Sequence, residues 1–246
     1  MYKGKKAQVT LFVIIAIVLV AMISMLFYLR QSPKEAVELP GQVSSVKEKI
    51  QGCVEDSALE SLAVIGLQGG YFRTPAPRLD AGNNVRIAYW YYDGKIIQPS
   101  LDTIKNQINI YIAENIGDCV DFEGYSDLQI RKGAVKSTAE IYEDSVKFNV
   151  YWPVTVKKGD TSYRLAEPYI TSIPFRLRKI HSYATELVNK EAGNPDYIPV
   201  SDILDMDMNV TVVQYDSETI IYSIHDIKPE AEFKNYTYTF LFANKI

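Results

Sequence analysis

Two histidines are the first candidates for chemistry in this chain of 246 residues. His181 lies in the stretch RKIHSYATE, directly before Ser182, and His225 lies in YSIHDIK, directly before Asp226. A histidine beside a hydroxyl or a carboxylate could act as a general base with an orienting partner. Neighbours in a strand point to opposite faces, however, and adjacent helix positions do not face each other. We therefore interpret both as ordinary surface or hydrogen-bonded histidines.

The acidic stretch SDILDMDMN holds three carboxylates, Asp202, Asp205 and Asp207, that could bind calcium. It lacks the spacing and the central glycine of an EF-hand loop, which favours a solvated helix start instead. Gly69-Gly70 could be read as a phosphate loop, but the pair follows a helix, and a helix C-terminus disfavours an anion. The sequence contains no nucleophile elbow, P-loop, zinc-protease or dinucleotide-binding motif. We expect no catalytic centre, no metal, no cofactor and no enzymatic activity.

An aromatic run is the most unusual feature of a chain that contains 18 tyrosines. Tyr89, Trp90, Tyr91 and Tyr92 lie on one arm of a predicted hairpin, so alternate rings point to opposite faces. If one face is buried, the other presents two aromatic rings as a contact surface for a protein or a glycan. The alternative is a hairpin held between two layers of the fold, with both faces covered.

Cys53 and Cys119 are the two cysteines of the chain. A disulfide between them is our leading prediction, and it would staple together the two helices on which they lie. In the chain-entropy model such a loop stabilises the fold by roughly 4 kcal/mol. Free buried thiols are the next alternative. A zinc site is disfavoured because neither cysteine has a second ligand at the short spacing that zinc sites use.

Two glycosylation sequons occur in the C-terminal part of the chain. They begin at Asn209 (Asn-Val-Thr) and at Asn235 (Asn-Tyr-Thr). Modification requires an exported chain and an asparagine side chain that points outward from its strand. We predict both as candidate glycosylation sites.

Charge is unevenly distributed along the chain. Residues 1–30 contain Lys3, Lys5, Lys6 and Arg30 and no acidic residue, although the formal net charge of the whole chain is −4. The rest of the chain is therefore acidic, and it contains no run of basic residues. Because phosphate binding requires a clustered basic surface, we expect no nucleic-acid partner.

An apolar run extends from Val9 to Leu29, interrupted only by Thr10 and Ser24. As a helix it would be roughly 31 Å long, which is enough to cross the hydrocarbon core of a bilayer. A cleavable signal peptide has an apolar region of only about 7–15 residues, followed by a small-residue cleavage site that is absent here. The run predicts a single transmembrane helix over residues 9–29.

The flanks of this run predict its orientation. The basic segment 1–8 precedes it, whereas the Pro-containing linker 30–41 that follows mixes basic and acidic residues. The positive-inside rule therefore places the N-terminus in the cytoplasm and the body outside the cell. We expect a single-pass protein of the cell membrane, with the lipid bilayer as its first partner.

The start of the run, KKA followed by QVTLF, resembles the class III signal peptide of archaeal type IV pilin-like proteins. The resemblance covers about the first 30 residues. It implies that a prepilin-type peptidase cuts between Ala7 and Gln8 and that the helix is retained for self-association in a filament. Phe12 departs from the glutamate that many pilins carry at the matching position. Pro33 and Pro40 also disfavour one continuous helix into the body, so a tether is the simpler interpretation.

The body after the linker is predicted to be α+β, in two lobes. Apolar spacing predicts a helix over 42–67 and another that Ser100 caps, with a hairpin turning at Asp93-Gly94 between them. These elements form a helix and hairpin lobe, 42–125, that carries the disulfide. The β-rich lobe, 126–246, contains a helix over 176–191 and strands predicted at 128–131, 136–142, 145–156, 161–166, 208–215, 218–225 and 235–243.

The helix-borne Cys53, the stretch GLQGGYF and the stretch YWYYDGK together resemble a group of uncharacterised, N-terminally anchored archaeal surface proteins. This resemblance implies a location and no specific activity. The favoured hypothesis is a membrane-anchored surface protein with a structural or binding role and a protein or glycan partner. The alternatives are a pilin-like filament subunit processed before Gln8 and an extracytoplasmic enzyme.

The N-terminal pattern leads to a direct prediction about processing. If a prepilin-type peptidase recognises KKAQVTLF, the chain extracted from its native membrane begins at Gln8. If the stretch is only an anchor, the chain begins at Met1. Intact-mass measurement with N-terminal sequencing distinguishes the two, and a start at Met1 would contradict the class III interpretation.

Overall fold

A computed structural model describes residues 17–25, 40–82, 85–194, 197, 199–228 and 232–246, with the backbone alone at 232 and 233. The chain forms two compact units, residues 1–40 and 41–246. In the first unit, residues 17–25 are helical and every side chain is exposed. None of the helices in the described ranges is long and apolar enough to cross a membrane. Most of the predicted span 9–29, and the predicted cleavage position between Ala7 and Gln8, lie outside the described residues.

The second unit confirms the predicted α+β class. Its helices are α1 (Gly41–Leu67), α2 (Leu101–Cys119), α3 (Leu177–Gly193) and α4 (Val200–Asp205). The strands before α3 are β1 (Arg78–Asp80), β2 (Arg86–Tyr92), β3 (Lys95–Ile96), β4 (Gln129–Lys132), β5 (Lys136–Ile141), β6 (Val146–Tyr151), β7 (Val154–Lys158), β8 (Thr161–Leu165) and β9 (Tyr169–Ile173). Those after α4 are β10 (Asn209–Gln214), β11 (Thr219–His225), β12 (Glu232–Phe233), β13 (Tyr236–Thr237) and β14 (Thr239–Lys245).

The largest sheet joins the two ends of this unit. Its strand order is β1-β2-β14-β11-β10, with β3 also paired to β2. The β2–β14 pair is parallel, and the other pairs are antiparallel. Because β2 and β14 lie on opposite sides of residue 125, the predicted division into lobes 42–125 and 126–246 is wrong. Residues 41–246 form one unit whose last strand completes the sheet that its first strands begin.

Pro153 divides one predicted strand into two strands that belong to different small sheets. The stretch 145–156 was predicted as a single strand, but it divides into β6 and β7, with Pro153 between them. Proline cannot donate to a strand ladder, so the chain leaves one sheet there and enters another. The sheets are β5-β6-β9 and β4-β7-β8, and the strand β9 was not predicted.

Helix α1 is the central packing element, and its predicted apolar stripe is confirmed. The buried side chains recur every three or four residues and include Val43, Val46, Ile50, Val54, Ala58, Leu62 and Ile65. The helix packs against α2, β9 and β14. The helix ends at Leu67, and the chain then turns at Gly69 and Gly70, whose positive φ values of 68° and 97° are costly for other residues.

The predicted disulfide between Cys53 and Cys119 is present. It joins the middle of α1 to the last residue of α2. Ser100 caps α2 as predicted, since its side chain accepts a hydrogen bond from the Thr103 backbone N–H at 3.1 Å. The bridge therefore fixes α2 to α1, the helix that packs against β14 of the large sheet.

The C-terminal end of α1 fits closely between β2 and β14. The Gly69 carbonyl accepts a hydrogen bond from Trp90 Nε1 at 3.0 Å, and the Gln68 carbonyl accepts one from the Ala88 N–H at 3.4 Å. At Gly66, an added Cβ would clash with the Thr239 carbonyl and lie 3.0 Å from the Tyr238 ring. Glycine at this helix position allows the close approach of α1 to the sheet.

We predict opposite effects for two glycine substitutions in α1. Gly66→Ala lowers the free energy of unfolding by about 1–3 kcal/mol because the methyl group meets the backbone of β14. Gly52→Ala, in the same helix with open space around it, raises that free energy by up to about 1 kcal/mol. Denaturant unfolding of the full chain, followed by tryptophan fluorescence, measures both. Equal effects of the two substitutions would contradict the close fit.

Candidate functional site

The structure places the aromatic run Tyr89–Tyr92 in the interior. Tyr89, Trp90 and Tyr91 are buried, and Tyr92 is half-buried. The Trp90 ring packs against Phe242 at 4.9 Å between centroids. These four residues therefore do not form the exposed contact surface that was predicted, and Tyr89 packs in a cluster with Leu79, Ile87 and Ala243. The reason is that β2 pairs with β14, which places Ala243 beside Tyr89 and Phe242 beside Trp90.

His225 and Asp226 have separate partners, as predicted. The His225 ring shares hydrogen bonds with Ser223 Oγ and Thr239 Oγ1, both at 2.9 Å. The Asp226 carboxylate is buried and accepts hydrogen bonds from the Arg176 guanidinium, including one from Nε at 2.9 Å. This buried ion pair fixes the start of α3 to the end of β11.

The three candidate calcium carboxylates do not converge on one site. Asp202, in α4, pairs with Lys190 at 2.5 Å. Asp207 accepts hydrogen bonds from Arg176 and Lys179, and these lower its pKa although burial alone would raise it. Asp205 ends α4 and is exposed. No cluster of metal-ligating side chains occurs within the described part of the chain.

Both sequon asparagines are exposed. Asn209 is the first residue of β10, and Asn235 lies in the turn between β12 and β13. Each side chain is therefore accessible to an enzyme that transfers a glycan. Glycosylation at these positions stays a prediction.

A concave surface that carries several polar side chains lies along the outer side of α3. One groove of about 660 Å³ is lined by α3 residues together with Gln98, Leu101 and Glu143. A second groove of about 470 Å³ continues along the helix to Asn189 and Lys190. Because the two grooves share Ser182 and Thr185, we treat them as one feature, the α3 trough, which is lined by Gln98, Leu101, Glu143, Arg178, Lys179, His181, Ser182, Tyr183, Thr185, Glu186, Asn189 and Lys190.

His181 has a fixed orientation in the wall of the α3 trough. Its Nε2 lies 2.8 Å from the Pro99 carbonyl, which can only accept, so Nε2 carries the proton. Burial lowers the pKa of His181, and the nearby Arg178 lowers it further, while the Pro99 hydrogen bond opposes both effects. The ring is therefore neutral near pH 7, with Nδ1 as a hydrogen-bond acceptor.

The cations of the α3 trough are neutralised within the fold. Arg178 lies 3.4 Å from Glu143, Lys179 lies 2.9 Å from Asp207, and Lys190 lies 2.7 Å from Glu186. The trough is consequently a mixed, nearly neutral surface and not an anion site. What it offers to a ligand are hydroxyl and amide groups and the neutral imidazole.

Gln98 supplies a polar group that has no role in the fold we describe. Its Oε1 atom is buried and has no hydrogen-bond partner among the described residues. A buried acceptor without a partner costs about 1–3 kcal/mol, and rotation of the Gln98 amide into the trough would let a ligand donor recover that cost. The sequence analysis did not identify Gln98, because a glutamine after a hairpin carries no motif. Its place in the trough is apparent only when α3 packs beside it.

Beneath the α3 trough, the inner side of the same helix holds a buried carboxyl group. Glu191 is 2% exposed, and its Oε2 accepts hydrogen bonds from Tyr222 and from Asn244. The Asn244 side-chain oxygen also accepts a hydrogen bond from the Tyr91 N–H at 3.1 Å. The pairing register of β2 and β14 shifts at this point. Burial raises the pKa of Glu191, although these hydrogen bonds lower it in part.

Comparison with protein-family models, with curated proteins and with solved structures finds no match to this chain. Function must therefore be argued from the residues themselves. The α3 trough is the described feature whose chemistry points most directly to a ligand.

We predict that Glu191→Gln changes the pH dependence of stability. The pKa of Glu191 is raised in the folded state, so the unfolded chain ionises first and stability falls as pH rises above about 4.5. Each unit of the raised pKa corresponds to about 1.4 kcal/mol. Glu191→Gln removes this fall and makes the protein more stable than wild type at pH 7.5, as measured by denaturant unfolding.

Glu48→Gln, at an exposed position of α1, is the matched control and leaves the wild-type pH profile unchanged. If Glu191→Gln instead destabilised the protein equally at pH 4.5 and pH 7.5, the carboxyl group would not be the source of the pH dependence.

Proposed function

We propose that the protein is a single-pass membrane-anchored surface protein whose body lies outside the cell and binds a ligand there. The observation that carries the proposal is the helical segment 17–25. Its large apolar side chains, from Ile17 to Met25, are each at least 46% exposed and surround the whole helix. A helix that is apolar on all sides requires lipid or other helices around it.

The Cys53–Cys119 disulfide supports the extracytoplasmic location of the body. Disulfides form and persist in oxidising compartments and are rare in the cytosol of most organisms. The positive-inside rule, applied to Lys3, Lys5 and Lys6, supports the same location of the body.

For the ligand we propose a neutral glycan that lies in the α3 trough. Sugar hydroxyl groups both donate and accept, which suits the Gln98 amide, the Ser182 hydroxyl and the His181 Nδ1 atom. The half-buried ring of Tyr183 adds an apolar surface of the kind on which sugar rings pack. The paired charges of the trough give no net attraction to a phosphate or a nucleic acid.

A second candidate function is a pilin-like filament subunit. The observation that favours it is KKA followed by QVTLF at the start of the apolar run. The exposed apolar helix 17–25 would then pack against the same helix of other copies instead of lipid. Processing between Ala7 and Gln8 distinguishes this role from that of a simple tether.

The test of the binding role is a glycan array probed with the full chain in detergent. Wild type is expected to retain a subset of neutral oligosaccharides. Ser182→Trp places a bulky ring where the two parts of the α3 trough meet, and it is expected to weaken that binding at least tenfold. Ser162→Trp, exposed on β8 and outside the trough, is the matched control and binds as wild type.

Retention of no glycan by wild type would contradict the proposed ligand class. Equal binding by wild type and Ser182→Trp would contradict the proposed position. The circular dichroism spectrum and the unfolding midpoint of each variant, compared with those of wild type, show whether it has folded.

A further inference from the structure

Strand β10 is the outer strand of the large sheet and pairs on one side with β11. Five of its six residues are exposed, and Val210 is half-exposed. Val212 and Val213 are 38% and 49% exposed. An edge strand of this kind presents backbone donors and acceptors that can pair with another strand.

The hydrogen-bond register identifies which backbone groups of β10 face outward. The Tyr215 N–H donates to the Thr219 carbonyl at 2.9 Å, so these two residues form a hydrogen-bonded pair. Such pairs alternate along an antiparallel ladder, so every second residue before Tyr215 also bonds to β11. The N–H and C=O groups of Val210, Val212 and Gln214 therefore point away from the sheet. We call these three residues the β10 edge.

Within the described part of the chain, the β10 edge lacks the devices that protect the other outer strands. The outer strands β1, β3, β4, β5 and β8 each contain at least one charged residue. The remaining outer strand of the three larger sheets, β9, has its Ile170 carbonyl hydrogen-bonded to Gln51 of α1 at 3.2 Å. Charged side chains and covering elements are the usual means of preventing strand addition.

We propose that the β10 edge pairs with the same edge of a second copy of this chain. The two strands run antiparallel about a two-fold axis at Val212, and the two large sheets become one continuous sheet. A two-fold axis brings identical surfaces together, so any net charge near it would repel its counterpart. Residues 209–215 contain no charged side chain, which makes this edge compatible with itself.

The proposed register also pairs side chains of similar character. Val212 faces Val212 of the second copy, and Val213 faces Thr211. Val210 faces Gln214 at each end of the hydrogen-bonded segment. β-Branched residues opposite each other stabilise antiparallel pairs, so the pairing covers valines that are exposed in the single chain. This inference concerns an interface and does not depend on the proposed glycan.

Cysteine cross-linking in the full chain, in its native membrane, tests the pairing. Hydrogen-bonded antiparallel pairs have Cα atoms about 5.5 Å apart, which is within the range that a disulfide spans. Val212→Cys is therefore expected to form a disulfide-linked dimer under mild oxidation. The two native cysteines are already bonded to each other and do not take part in the cross-link.

Val213→Cys is the matched control, because the two copies of residue 213 are diagonal neighbours about 7–8 Å apart. It is expected to cross-link at least tenfold less than Val212→Cys. Co-expression of Val213→Cys with Thr211→Cys restores a cross-link between the two different chains. A Val212→Cys chain that stays monomeric, that links to another protein, or that cross-links no better than Val213→Cys would overturn the proposal.

Discussion

The fold depends on the close approach of the end of α1 to the backbone of β14. At Gly66 the helix and the strand come so near that a single methyl group would clash, and Gly69 then receives the buried Trp90 side chain as a hydrogen-bond donor. One end of α1 is thus fixed to the large sheet, and its middle is fixed to α2 by Cys53. Because β2 pairs with β14 and its Trp90 donates a hydrogen bond to the end of α1, the first and last parts of the body stabilise each other.

The same architecture explains why α3 carries the candidate site. Its start is fixed by the buried pair of Arg176 and Asp226, and its last turn is fixed by Glu191, which bonds to strands β11 and β14. The outer side is then free to present His181 and its neighbours on a rigid element. The buried carboxyl group of Glu191, which has no ion pair among the described residues, costs stability near neutral pH, so the packing around α3 must offset that cost.

Local features of this protein could be predicted from sequence, and features that depend on distant pairing could not. Two helices and their disulfide were predicted correctly, from the apolar spacing in α1, the Ser100 cap and the positions of the cysteines. Sequence alone left two interpretations of Tyr89–Tyr92, exposed or covered, because the choice depends on β14, which lies about 150 residues later and pairs with β2 in parallel. The predicted lobe boundary was wrong for the same reason. The α3 trough was missed because Gln98 and His181 meet only after α3 packs beside the β3–α2 connection.

The central claim is that the body of this protein lies outside the cell, and the redox state of Cys53 and Cys119 tests it most directly. The chain would be extracted from its native membrane in the presence of an alkylating reagent, and its intact mass measured before and after reduction. A body outside the cell should show no alkylated cysteine before reduction and two after it. Two alkylated cysteines before reduction would mean that the body lies in a reducing compartment, and the proposed location would be wrong.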